Sequence, residues 1–323
     1  MIGISHILSR RGIKHRPSWH LVFEWEDETA RTLGIPVRAP GRAWWLLAVA
    51  SRWLRMPSVS PHAPALEFIM IAKPQRGDRY GAGSTPWIID YFLDDEDTRS
   101  FISATAHCRK VILSSREAYE RVIAAGGDPE HYLHVPLSLP DRYRLNPDAP
   151  MKKDFDLALV GRSSARLEEW ARRYVSEHPG LRVVMKGPKR DGHYWVYDQE
   201  GQPVADVDKR EDYLDVLRRS RLFLYSTPGV DDGKPTGGYS QVTPRLLEAL
   251  ACGCQPLMRY PDNPDTRWYR LDSLCRSLES YEEFAAAADR ALAIPVADVL
   301  QRNAAYLEPH YTSSTVKEAL CRK

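Results

Sequence analysis

The sequence predicts an α/β chain of two doubly wound domains. Three observations carry that reading. Short apolar runs alternate with helix-period segments throughout, which is the pattern of parallel sheets covered by helices. At 323 residues the chain exceeds one typical domain. One proline- and charge-rich stretch, "SLPDRYRLNPDAPMKKD" (138–154), interrupts the alternation with Pro140, Pro147 and Pro150 and no apolar periodicity. It reads as a linker between domains, with a ligand cleft expected between them.

In chain order, the first series of apolar runs predicts strands at 2–8, 21–25, 66–72, 87–92, 110–113 and 132–136. A second series, beyond the linker, predicts strands at 156–160, 181–185, 222–225 and 255–258. Helical spacing falls between them at 117–125, 167–177, 212–220, 245–252 and 281–292. No internal repeat or low-complexity tract interrupts the series.

Composition narrows the function classes. Hydrophobic content of 43% and charged content of 27% are those of a globular protein, and a net charge of +2 argues against a dedicated nucleic-acid binder. The charge is uneven, however. Residues 1–55 carry Arg10, Arg11, Lys14, Arg16, Arg31, Arg38, Arg42, Arg52 and Arg55 against Glu24, Glu26, Asp27 and Glu28. A basic N-terminal part suits an anionic acceptor or membrane surface. The five cysteines include no C-x-x-C pair, so a reduced, cytoplasmic protein is expected. "MIGISHILSRRGIKHR" lacks a signal-peptide pattern, and the longest apolar run, 43–50, is too short for a membrane span.

The most organised stretch is "TPRLLEALACGCQPLM" (243–258). Thr243 is a suitable N-cap whose hydroxyl can accept from a first-turn N–H, and Pro244 fits the first helical position. Gly253 is the expected left-handed stop before a buried strand, giving a helix over 244–252. A long loop, 226–242, with Gly229, Gly233, Gly237 and Gly238, delivers this helix N-terminus to a strand end. There the free N–H groups and the helix dipole favour a phosphate. Arg245 in the first turn opposes the dipole unless an anion binds. Glu248 lies one turn below Pro244 on the same face, within reach of a ribose, or alternatively pairs with Arg245.

The stretch, with "YLDVLRRSRLFLYSTPG" before it and "SLESYEEFAAAADRAL" after it, resembles the donor domain of GT-B glycosyltransferases of the family 4-like and CgeB-like group. "DLALVGRSS" (156–164) resembles the opening of that domain, and "KVILSSREAYERVIAAGGDPEHYLHVPLSLP" (110–140) the end of the acceptor domain. "NAAYLEPHYTSSTVKEAL" resembles the final helix that returns to the N-terminal domain. The resemblance implies two Rossmann-like domains, an acceptor domain over 1–145 and a donor domain over 146–305, with the returning helix over 306–323. It implies that Glu248 binds ribose hydroxyls and that Thr243, Pro244 and Arg245 hold a diphosphate. Gly161, Arg162 and Lys186 would add to that diphosphate site, with Arg162 and Lys186 at strand ends. It implies no metal and no cofactor beyond a nucleotide-sugar donor. The acceptor would be a glycan or its lipid-linked precursor, in polysaccharide biosynthesis. The family often carries a sugar-contacting acid where this chain has Ser240, so the resemblance does not name the sugar. A nucleotide-sugar epimerase on the same architecture and a DNA-modifying glycosyltransferase are the alternatives.

Four further features are candidates. Asp94 and Asp95, at the carboxyl end of the 87–92 strand, could deprotonate an acceptor hydroxyl, or simply open the following helix. His15 and His20 belong to the basic loop "SRRGIKHRPSWH" (9–20), expected to line the cleft, and offer a histidine base, or are ordinary surface histidines. "HYWVYDQEGQPVADVDK" (193–209) reads as an inserted hairpin or loop with an aromatic that could stack on a base. "GRAWWLLAVASRWLRMP" (41–57) combines Trp44, Trp45 and Trp53 with Arg42, Arg52 and Arg55, as a helix packed on the sheet or one lying peripherally at the inner face of a membrane.

Overall fold

A computed structural model describes residues 3–14, 19–53, 64–72, 80, 83–231 and 236–321, with side chains left undescribed at 48, 49 and 51–53. His15, Gly233 and Arg55 lie outside the described residues, as do the side chains of Arg52 and Trp53. The chain divides into two compact units. The first holds residues 1–141, 233–241 and 311–323, and the second holds 142–232 and 242–310.

In the first unit the strands are β1 (His6–Leu8), β2 (Val37–Arg38), β3 (Ala65–Ile71), β4 (Thr85–Asp90), β5 (Val111–Leu113) and β6 (Tyr132–His134). They form one sheet in the order β2-β1-β3-β4-β5-β6, and every adjacent pair is parallel. The helices are α1 (His20–Leu33), α2 (Arg42–Trp53), α3 (Asp95–Thr105), α4 (Arg116–Ala124) and, from the far end of the chain, α11 (Thr312–Leu320). Val316 and Leu320 of α11 join the core formed by Val22 and Trp25 of α1 with Leu66, Phe68 and Trp87 of the sheet. The Trp25 indole N–H donates to Ser138 O at 2.8 Å, and Thr312 N donates to Leu139 O at 2.9 Å, fixing α11 to the end of the first series.

One expected strand is a helix. Residues 21–25 belong to α1, because the inward stripe is Val22, Trp25, Glu26, Thr29 and Ala30, which is helical spacing. Two of those positions are polar. Glu26 is buried against the Ser9 hydroxyl and the Arg11 guanidinium, so the apolar signal shrinks to the strand-like run Leu21–Phe23.

The second unit has β7 (Phe155–Leu159), β8 (Val183–Arg190), β9 (His193–Asp198), β10 (Pro203–Asp206), β11 (Ser220–Ser226) and β12 (Gln255–Arg259). Their order is β10-β9-β8-β7-β11-β12. β8, β7, β11 and β12 are parallel, whereas β9 and β10 add to the edge antiparallel. The 193–209 segment is therefore a hairpin extending the sheet. The helices are α5 (Ala165–Glu177), α6 (Arg210–Arg218), α7 (Pro244–Ala251), α8 (Pro264–Trp268), α9 (Tyr281–Ala293) and α10 (Val296–Leu307).

After its first two residues α7 is packed, burying Leu246, Leu247, Glu248, Ala249 and Leu250. It ends as the local chemistry dictates. Gly253 sits at φ +69°, its N–H reaching Leu250 O at 2.9 Å, and Cys254 N reaches Ala249 O at 2.9 Å. This paired closure satisfies the terminal carbonyls and turns the chain into β12.

Candidate functional site

The sheet order places the candidate site. From β7 the chain passes through α5 to β8 on one side. From β11 it passes through α7 to β12 on the other. β7 and β11 are neighbours, so the loops after them diverge and open a crevice at their carboxyl ends, the place where open α/β sheets bind ligands. The loop after β7 carries Gly161 and Arg162, and the loop after β11 leads to the N-terminus of α7.

Arg245 spans that crevice. Its guanidinium donates through Nη1 to Arg162 O and lies 5.5 Å from the centre of the Phe223 ring on β11. Gly161 has φ +79°, and a Cβ there would come within 2.6 Å of Arg245 Nη2. The backbone conformation favours glycine, and a side chain there would make the flexible guanidinium shift. Arg245 Nε and Nη2 are removed from water and have no hydrogen-bond partner of good geometry among the described residues, the Tyr213 hydroxyl standing nearest as a candidate. They are two charged donors held ready at a helix N-terminus.

The start of α7 differs from the expectation in one respect. Thr243 is the N-cap, but its hydroxyl does not accept from the first turn. It is directed at Tyr225 Oη, 3.5 Å away, to which Thr243 N also donates at 2.9 Å. Val242 N donates to the buried Asp265 at 3.0 Å. The peptide before the helix is therefore pinned from β11 and α8, and no side chain of the N-cap occupies the helix end.

α5 shows the opposite arrangement. Its N-cap Ser164 accepts from Leu167 N at 3.4 Å, and the Asp231 carboxylate accepts from Ser164 Oγ and Ala165 N, both at 3.1 Å. Arg259 Nε at the end of β12 stands 3.4 Å from the same carboxylate and its Nη1 2.8 Å from Glu279. Asp231 thus already supplies the anion that this N-terminus favours.

Glu248 is almost wholly buried, at 4% exposure. It does not pair with Arg245. Its Oε1 lies 2.7 Å from Nη1 of Arg210, the first residue of α6, and the Arg210 guanidinium rests over the Tyr143 ring at 5.3 Å. Burial of this kind holds a carboxylate firmly, because removing the cation would leave an uncompensated charge. Tyr213 of α6, near Arg245 and Glu248, has its hydroxyl pushed up to about 12, chiefly by burial.

Lys186 does not end its strand. The parallel pairing of β8 with β7 stops at Leu159↔Met185, but β8 continues through Lys186 to Arg190 by pairing with β9. Lys186 is exposed and its ammonium lies 4.6 Å over the Tyr194 ring, with Lys189 at 4.2 Å. The Arg162 side chain is exposed, with no ion pair among the described residues.

In the first unit, Asp94 is the N-cap of α3, its Oδ1 accepting from Asp97 N at 2.8 Å, and Asp95 opens the helix exposed to solvent. His20 begins α1, exposed. Residues 236–241 pack on this unit: Gln241 Nε2 donates to Ile89 O at 2.8 Å, Ser240 N to Glu117 Oε2 at 3.3 Å, and the Tyr239 and Tyr91 rings meet edge to face. One group among the described residues has metal-ligand geometry: His193, Asp206 and Asp208 on the β9–β10 hairpin. There His193 Nδ1 lies 3.1 Å from Asp206 and 3.7 Å from Asp208, and Lys209 closes the ion-pair cluster.

Residue spacing missed Arg210, Tyr225 and Asp231. Arg210 sits in the charge run "DKRED", indistinguishable from a solvated helix start, and its partner lies far along the chain.

No protein-family model matches the sequence, and no curated protein matches it. Solved structures do. AviGT4, a glycosyltransferase involved in avilamycin A biosynthesis, superposes with a TM-score of 0.57 at 16% identity, covering 98% of this chain and 95% of that one. HepE from Anabaena, solved with UDP and glucose, gives 0.53 at 10% identity, covering 97% and 96%. The fold is that of the GT-B glycosyltransferases. Sucrose-phosphate synthase from Thermosynechococcus elongatus also matches this GT-B chain, with a TM-score of 0.50 at 12% identity over 87% of it and 78% of the synthase.

Proposed function

We propose that this chain is a metal-independent glycosyltransferase that moves a sugar from a nucleotide-sugar donor to a glycan or lipid-linked glycan acceptor. The observation that carries the reading is Arg245, with two buried, unpartnered guanidinium donors beside Gly161 at an N-terminus that no side chain caps. A diphosphate placed there accepts from the Arg245 guanidinium and from the first-turn N–H groups other than those of Pro244, which has none, and Leu246, which donates to Thr243 O at 3.2 Å, while Thr243 and Pro244 set the direction of that turn. The Arg162 side chain adds exposed positive charge just beyond β7, and Lys186 adds it where the β7–β8 pairing stops, within β8. Glu248, held by Arg210, receives the ribose hydroxyls. Departure of the diphosphate leaves negative charge on its oxygens, and preorganised donors of this kind stabilise that charge without a metal.

The first unit supplies the acceptor side. A base must take the proton of the attacking hydroxyl. Asp94 and Asp95 are the proposed pair. Asp94 already spends one oxygen on the α3 cap, which leaves Asp95 as the freer carboxylate. The fold neighbours support the reading at the level of architecture, and UDP is bound in the HepE structure.

A thermal-shift screen against UDP-, GDP-, ADP-, CMP- and dTDP-sugars tests it. Stabilisation by at least one donor, lost in Arg245→Gln, is the expected result. If no nucleotide raises the melting temperature, the proposal fails.

A further inference from the structure

α2 is apolar on two faces. Trp45 points inward, 7% exposed, with the Arg10 guanidinium 4.9 Å over its ring. On the opposite side Ala43, Leu46, Leu47 and Ala50 are all exposed, at helical spacing. Leu46 and Leu47 are each 70% exposed, the most exposed large hydrophobic residues among those described. Single surface leucines need no explanation, but a stripe of this kind on a helix already packed by its other face marks a contact surface.

The charge around the stripe says what kind. Between Glu28 and Glu67 the sequence contains no aspartate or glutamate, and five arginines: Arg31, Arg38, Arg42, Arg52 and Arg55. Arg31 is neutralised by Glu28. Arg38, at the end of β2, and Arg42, the first residue of α2, are exposed and form no ion pair among the described residues. No described helix is long and apolar enough to cross a bilayer. A short helix with an apolar stripe, flanking arginines and an intervening tryptophan pair matches a helix that lies in the plane of an anionic interface. A second copy of the chain is a poor occupant, because a two-fold contact would set these arginines against each other. One stripe of two leucines and two alanines is also far below the area of a stable protein interface.

We propose that the α2 face made by Ala43, Leu46, Leu47 and Ala50, with Arg38 and Arg42 beside it, docks the protein on an anionic phospholipid surface. The leucines enter the boundary between headgroups and acyl chains, and the arginines meet lipid phosphates. The contact is peripheral and electrostatically assisted, and does not depend on which sugar or nucleotide the second unit binds.

Vesicle co-sedimentation tests it, using phosphatidylcholine alone and phosphatidylcholine mixed with phosphatidylglycerol. The wild type is expected to bind the mixed vesicles at least about tenfold more tightly than the neutral ones, and to release them as salt rises. Leu46→Gln/Leu47→Gln and, separately, Arg38→Gln/Arg42→Gln each lower that binding about tenfold. Both pairs change exposed side chains, so the circular dichroism spectrum and the melting temperature stay those of the wild type. Absence of wild-type binding to the mixed vesicles overturns the proposal, as does undiminished binding by both variants. A wild-type dimer that the leucine variant converts to monomer assigns the face to a second copy and overturns it too.

Discussion

If Gly161 exists to make room for the Arg245 guanidinium, the two residues must act as one unit in nucleotide binding. Gly161→Ala adds a Cβ 2.6 Å from Arg245 Nη2 and 3.0 Å from its Cζ, closer than real contacts allow. The guanidinium must leave Arg162 O, and the alanine must also hold φ +79°, which costs about 1–2 kcal/mol of stability. The second cost falls on folding and the first on binding. Arg245→Gln removes charge-assisted hydrogen bonds of about 1.5–3 kcal/mol each, so one lost bond weakens nucleotide affinity about 10- to 150-fold. Gly161→Ala should approach that loss by displacing the same group, and the double variant should lose little more than Arg245→Gln alone. Calorimetric titration of the four proteins, with the nucleoside diphosphate of the most stabilising donor, measures the cycle. Wild-type affinity in Gly161→Ala, or losses that simply add, would refute the reasoning.

Three more outcomes follow from other sites. Burial raises the Glu26 carboxyl from its ordinary 4.5 to about 7, against the Ser9 hydroxyl and Arg11, which favour charge. An acid raised in the folded state contributes stability that is full below its unfolded value and is lost as pH rises through the folded one. Denaturant unfolding should therefore show the wild type losing about 3 kcal/mol relative to Glu26→Gln between pH 4.5 and 8, and parallel profiles would contradict the assignment. Asp95→Asn should lower kcat about 100-fold or more while leaving nucleotide affinity intact, and wild-type turnover would remove it as the base. Gly253→Ala would place a Cβ 2.7 Å from Leu300 and Met151 at φ +69°. It should cost about 1–3 kcal/mol, seen as a melting temperature lower by several degrees, with no change in the nucleotide preferred.

What the sequence disclosed was set by how local the signal is. α7 was legible because Pro244 and Gly253 impose its ends through backbone chemistry alone, although Thr243 does not make the expected side-chain cap and the structure ends the helix one residue early, at Ala251. α1 was not, because Glu26 and Thr29 are polar at inward positions, and the Ser9 and Arg11 contacts that make the buried Glu26 tolerable are long-range. Lys186 was misplaced at a strand end because β8 is prolonged by β9, and strand length depends on a partner that spacing cannot report. Gly161 and Arg245 could be singled out separately. Their closeness could not, since it depends on β7 and β11 being neighbours in the sheet.

The same neighbourhood gives the reason why one helix end, and not the other, is proposed as the anion site. Both α5 and α7 start at the carboxyl edge of the second sheet, and each presents free N–H groups with a positive dipole end. At α5 the Asp231 carboxylate takes Ser164 Oγ and Ala165 N, and Arg259 balances its charge. A phosphate there would have to expel an internal anion that is covalently part of the loop and therefore present at high effective concentration. At α7 the first position is Pro244, which has no N–H, the nearest described carboxylate, Asp265, is spent on Val242 N one residue before the cap, and no side chain caps the first turn. The carboxylate of α7 itself, Glu248, is drawn one turn down and bound by Arg210, where it cannot compete for the helix end. Both described acids near the start of α7, Asp265 and Glu248, are thus committed to other groups, and that placement supports the proposed diphosphate role of Arg245.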